Sequence, residues 1–93
     1  MTLSDLTPIL EKEMIWAHGK HGEYHNAHEQ YAVMLEEVEE WWLSVKGNYS
    51  DSCMYELVQV AAVALRYVME RGNIDRVAYV QQKRHELDAC LKK

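Results

Sequence analysis

Phenylalanine is absent from the 93 residues, and proline occurs once. Glycine occurs four times and cysteine twice. With so few turn-forming residues, a loop-rich or many-turned β architecture is excluded. Trp, Tyr and Met must therefore supply the large core side chains. Cys53 and Cys90 lack the spacing of a ligand pair. Two cysteines without a secretion signal read as free thiols in a reducing compartment. No apolar run approaches the roughly 20 residues that a membrane-spanning helix needs. Met1-Thr2-Leu3-Ser4-Asp5 carries neither a basic region nor the apolar stretch of a leader. A cytoplasmic protein away from membranes is expected. Cationic residues are also scarce: ten Lys and Arg stand against 15 Asp and Glu, for a net charge of −5. A nucleic-acid polymer is therefore a poor partner, because phosphate backbones are held by clustered Lys and Arg.

The hydrophobic fraction of 48% and charged fraction of 27% fit a folded globular chain and are too apolar for disorder. The length gives one domain, 1–93, with no linker and no repeat. A chain this short buries a small share of its surface, so a homo-oligomer, dimer or tetramer, is expected to complete it.

The charge is uneven. Residues 1–46 hold nine Asp and Glu against three Lys and Arg, while residues 47–93 hold six against seven. Much of the acidity lies in Glu36-Glu37-Val38-Glu39-Glu40. Periodicity is helical throughout and predicts four helices, about 4–18, 26–46, 52–71 and 75–91. Ser4 or Asp5 is positioned to cap the first, with Pro8 early enough to be tolerated. Gly19 and Gly22 bracket the turn that follows. Asn26-Ala27-His28-Glu29 has the spacing of a capping box, with Glu29 reaching back to the cap amide. Ser50 or Asp51 is expected to cap the third helix, Gly72-Asn73 to end it, and Asp75 to cap the fourth.

On the long, acidic second helix, Tyr31, Met34, Leu35, Val38, Trp41, Trp42 and Val45 share an arc of about 120°. Glu37 borders that arc. The third helix is apolar over well over half its circumference. Its polar side chains Glu56, Gln59, Arg66 and Glu70 gather in one stripe. A helix of this kind is a buried one. It is expected to meet a second subunit as well as its own core.

Glu37 and Glu40 lie three apart on one helix, and Glu56 and Gln59 repeat that spacing on the next. Helices joined by a short loop pack antiparallel, so the four side chains can converge. Three carboxylates and an amide form a hard, all-oxygen donor set suited to Mg²⁺ or Mn²⁺. Like charges held together call for a cation. The competing reading is a solvated acidic face.

Tyr31-Ala32-Val33-Met34-Leu35-Glu36-Glu37-Val38-Glu39-Glu40-Trp41-Trp42 resembles the first motif of the MazG-like, all-α nucleoside triphosphate pyrophosphohydrolases. Glu56-Leu57-Val58-Gln59-Val60-Ala61-Ala62-Val63-Ala64-Leu65-Arg66 resembles their second motif, Glu-x-x-Asp. The resemblance covers about residues 25–70 and is nearest to the short, phage- and prophage-type members. It implies an all-α, four-helix MazG-like bundle, completed by oligomerisation. It also implies Mg²⁺-dependent hydrolysis of (deoxy)nucleoside triphosphates to monophosphate and pyrophosphate. Carried over, the metal ligands are Glu37, Glu40 and Glu56, with Gln59 in place of the family Asp. Glu37 counts among the catalytic residues, and Glu36 is the candidate general base. Gln59 brings an oxygen but no charge. It leaves open a relative that kept the fold as a non-catalytic helical oligomer and lost turnover.

Lys46, Arg66, Trp41 and His28 are candidates for binding the nucleotide. For Arg66 the alternative is an internal pair with Glu70; for Trp41 it is a core role. His18, His21, His25 and His28 form a second constellation, read as a Zn²⁺ or Ni²⁺ site, as base contacts together with Tyr24, or as capping and surface residues.

Overall fold

The computed structural model describes residues 1–91. They form four α-helices: α1 (Leu3–His21), α2 (Ala27–Lys46), α3 (Ser50–Arg71) and α4 (Ile74–Leu91). No strand occurs among the described residues, so the chain is all-α. No helix is long and apolar enough to cross a membrane.

The helix ends correct several of the sequence expectations. Thr2, not Ser4 or Asp5, caps α1. Its hydroxyl accepts from Asp5 N at 3.2 Å, and the Asp5 carboxylate accepts from Thr2 N at 2.9 Å. This reciprocal box satisfies two of the free amides at the helix start. Pro8 then falls inside the helix. Gly19 is also helical, and Gly22 alone ends α1, at φ 73°. Asn26 caps α2 by accepting from Glu29 N at 2.9 Å. Glu29 reaches one residue further back than expected, to His25 N at 3.4 Å and to the His25 ring. Tyr49 precedes α3 without a side-chain cap, since Asn48 at φ 59° turns the chain directly into the helix. Ser50 and Asp51 lie in its first turn. Asn73 caps α4 through its side-chain oxygen, which accepts from Asp75 N and Arg76 N; Asp75 is already helical.

α3 is the central element, packed against α2 on one side and α1 on the other. The α1–α2 loop is tied to the C-terminal half of α3. Arg66 Nη2 donates to Gly22 O at 2.6 Å, and Arg71 Nη2 donates to Tyr24 O at 2.7 Å and to His25 O at 3.0 Å. Glu70 accepts from Tyr24 N at 3.2 Å. Loop carbonyls and an amide that a short turn cannot pair internally thus find partners on α3. The Tyr24 ring packs edge-on to Tyr67 at 5.9 Å and under the Arg66 guanidinium at 4.5 Å.

Two packing expectations are revised. First, the four helices do not close into one bundle: α4 packs against no other helix. Second, the inward face of α2 is turned by roughly 70° towards Glu37. Gln30, Val33, Met34, Glu37, Val38, Trp41, Ser44 and Val45 line the half-buried side, so Met34, Val38, Trp41 and Val45 of the expected arc face inward while Tyr31, Leu35 and Trp42 are exposed. Only Tyr24, Ala62, Val63 and Arg66 are buried among the described residues. Leu65, Val68 and Met69 on α3 are exposed, Met69 at 74%. Each such side chain forgoes part of the ~1.5–3 kcal/mol that full burial would give, Met69 the largest part. The apolar excess of α3 is therefore not absorbed by this chain.

Candidate metal centre between the second and third helices

The short loop Gly47–Tyr49 folds α3 back beside α2, and the two i, i+3 pairs meet across the seam. Carboxylate oxygens of Glu37, Glu40 and Glu56 lie within 4.8 Å of one another. Among the described residues this is the one group of three or more His, Cys, Asp or Glu side chains close enough to share an ion. Gln59 stands at the fourth position. With its nitrogen turned inward, the amide donates to Glu56 Oε2 at 2.9 Å and to Glu37 Oε2 at 3.3 Å. The opposite orientation would set its oxygen against acceptors alone.

The electrostatics follow from this crowding. Burial pushes the Glu37 carboxyl above its usual range, and the charges of Glu40, Glu56, Glu36 and Glu13 push it further. Burial likewise raises Glu56, helped by the charge of Glu40 and by a hydrogen bond with it. Both groups resist ionising together, as carboxylates sharing a site do. A neutral amide donating to two of them relieves part of that repulsion. The donor set fits a hard divalent cation: three carboxylates, plus an amide oxygen if Gln59 rotates. With its nitrogen inward, Gln59 equally fits a cluster held by hydrogen bonds alone.

A small cavity of about 80 Å³ adjoins the cluster. Glu37, Gln59 and Arg66 line it from α2 and α3, Trp16 and His21 from α1, and Tyr24 from the loop. Tyr24 is 5% exposed, and its hydroxyl has no hydrogen-bond partner in the chain. Burial raises that hydroxyl's pKa. Glu13 lies on the same wall, where Tyr55 Oη donates to it at 2.9 Å. That hydrogen bond, more than burial, raises the tyrosine's pKa.

The remaining candidates are dispersed. Glu36 is exposed, outside the three-carboxylate group. Lys46 lies over the Trp42 ring at 5.7 Å, at the far end of α2. Trp41 is half-buried, and neither it nor His28 lines the cavity. Arg66 lines the cavity but is only 5% exposed. It is engaged with Gly22 O, the Tyr24 ring and Glu70, the last at 3.6 Å. The internal pair expected as its alternative role is thus present. The histidines do not converge: His18 faces a different groove, His21 the cavity, His25 pairs with Glu29, and His28 is exposed.

Glu13 and Trp16 had no place in the sequence reading. Their signal is the run Glu13, Ala17 and His21, one residue per turn on a single α1 face, with Trp16 beside it. Compared with protein-family models, curated proteins and solved structures, the chain shows no match.

Proposed function

We propose that the chain binds a divalent cation, Mg²⁺ or Mn²⁺, at Glu37, Glu40 and Glu56, and hydrolyses (deoxy)nucleoside triphosphates to monophosphate and pyrophosphate. The observation that carries this is the convergence of three carboxylates from two Glu-containing i, i+3 pairs within 4.8 Å. The motif resemblance to MazG-like pyrophosphohydrolases supplies the reaction. When bound, the cation neutralises phosphate charge, polarises the phosphoryl oxygens and lowers the pKa of a water. Two packed helices hold the three carboxylates close together, and the Gln59 amide must turn for its oxygen to join them. Glu36, exposed beside the cluster, is free to take a proton from solvent water. A homo-oligomer in solution is part of this reading, supported by the uncovered apolar surface of α3 and α4.

A second reading rests on Gln59. Its amide is placed to donate to Glu56 and Glu37, so the cluster has internal satisfaction without a cation. On that reading the chain is a helical assembly module without turnover. A panel of (d)NTPs with Mg²⁺ or Mn²⁺, assayed for released pyrophosphate, separates the two. Hydrolysis that disappears in Glu56→Ala supports the enzyme. Absence of hydrolysis with every nucleotide supports the module.

A further inference from the structure

The most exposed apolar surfaces lie away from the carboxylate cluster, and two of them have matching form. The first is a groove of about 630 Å³ between α1 and α3. Leu3, Leu10, Met14 and Ile15 line it from α1, and Leu65 and Met69 from α3. The second is the exposed stripe Ile74, Val77, Val80, Leu87 and Leu91 along α4, of which Val77 to Leu91 form the straight seam. α4 packs on nothing in its own chain.

We infer that the α1–α3 groove of one chain receives α4 of a second copy, and that two chains exchange this helix reciprocally. Three features select a second copy as the occupant. The first is length. The α1 wall of the groove runs from Leu3 to His18 and the α4 stripe from Val77 to Leu91. At 1.5 Å per residue these span about 22 Å and about 21 Å.

The second is spacing. Leu3, Thr7, Leu10 and Met14 advance by four, three and four residues. Val77, Val80, Arg84, Leu87 and Leu91 advance by three, four, three and four. Both are the alternating steps of a helix seam that interlocks with another helix.

The third is charge. Arg84 is the single cation inside the α4 stripe, and it stands midway between Val77 and Leu91. Among the described residues it makes no ion pair. The groove offers two carboxylates. Glu11 is exposed near its midpoint. Glu70 is already paired with Arg66, which also lines the groove, and accepts from Tyr24 N, so Glu11 is the available partner. Whether the helix lies parallel or antiparallel to α1, seating its midpoint brings Arg84 to Glu11. One polar residue inside an apolar seam fixes register in this way. Exchange makes a two-fold interface, with two copies of the same seam per dimer. This inference does not depend on the metal reading.

The test is the solution mass of the full chain, measured by light scattering across a wide concentration range, with charge-reversed variants. Wild type is expected to be a dimer or a higher even oligomer. Arg84→Glu and Glu11→Arg should each weaken association by ~10-fold or more, and the double variant should recover it. Leu87→Asp should give monomers in which α1–α3 stay folded, because α4 supports no other helix of its own chain, with any loss of helicity confined to α4. A monomeric wild type would overturn the inference, whether α4 folds back on its own groove or awaits a different protein. So would an oligomer that survives Leu87→Asp, or a double variant no tighter than the single ones.

Discussion

The two sides of α3 are built differently. Towards α2 and the α1–α2 loop, its polar stripe is largely engaged, with Arg66 Nε and Glu70 Oε1 left without a hydrogen-bond partner. Glu56 and Gln59 meet Glu37 and Glu40, while Arg66, Glu70 and Arg71 hold the loop backbone. Towards the α1 groove and α4, its apolar residues Leu65, Val68 and Met69 meet little, and α4 stands clear. The side with costly groups is the finished one, and the side with inexpensive groups is open. Buried or crowded charges need partners at fixed distances, and one chain can supply them from its own loop and neighbouring helix. An apolar stripe needs only a complementary surface, which a second molecule can bring. The contrast separates what this chain achieves alone from what it leaves to association.

The strongest way to break the finished side is Arg66→Ala. It leaves Glu70 buried with its partner gone and releases Gly22 O, so unfolding should be easier by about 3–5 kcal/mol, read by urea denaturation. Glu56→Ala comes next. It should reduce cation affinity by ~100-fold or more, and pyrophosphate release with it, while leaving the fold intact, as circular dichroism would verify. Gln59→Asp sharpens the comparison in the opposite direction. A fourth carboxylate should tighten Mg²⁺ binding by about 10-fold, read by titration calorimetry, and should lower the metal-free midpoint, because the amide's relief of Glu37 and Glu56 is lost.

The smallest effect concerns pH. Glu37 and Glu56 have folded-state pKa values raised above the unfolded value of 4.5. Their contribution to stability is whole below that value and is lost as pH rises through the raised ones. Metal-free Glu37→Gln should therefore match wild type in acid and exceed it near neutrality, by up to ~1 kcal/mol given partial exposure. A difference independent of pH would show that the crowding of Glu37 is not felt.

The four helices are legible because each has a 3.6-residue period, thin in α4, and a capping or terminating residue near its end. The boundaries shifted where two caps competed. Thr2 with Asp5 forms a reciprocal box that Ser4 cannot, and Asn73 reaches two amides where Asp75 is already inside the helix. The convergence of Glu37, Glu40 and Glu56 was legible because i, i+3 spacing and a short loop leave few alternatives. Glu13 and Trp16 were not, since the angle at which α1 crosses α3 is absent from any local pattern. One edge of the expected α2 face differs for a related reason, while Met34, Val38, Trp41 and Val45 do face inward. Hydrophobicity ranks Tyr31, Leu35 and Trp42 as core, but the seam with α3 selects the face that carries Glu37. Nor does a stripe on α4 say which surface covers it.

We propose the α2–α3 seam as a cation site and not merely an acidic face. The most direct measurement is the thermal midpoint of the purified full chain as Mg²⁺ or Mn²⁺ is titrated, in wild type and in Glu56→Ala. Binding to the folded state alone must raise the midpoint, by about 2.7 kcal/mol of stabilisation at a hundredfold excess over Kd. The prediction is a saturable rise in wild type that is absent in Glu56→Ala. A wild-type midpoint that stays level with either ion, or rises equally in the variant, would contradict it.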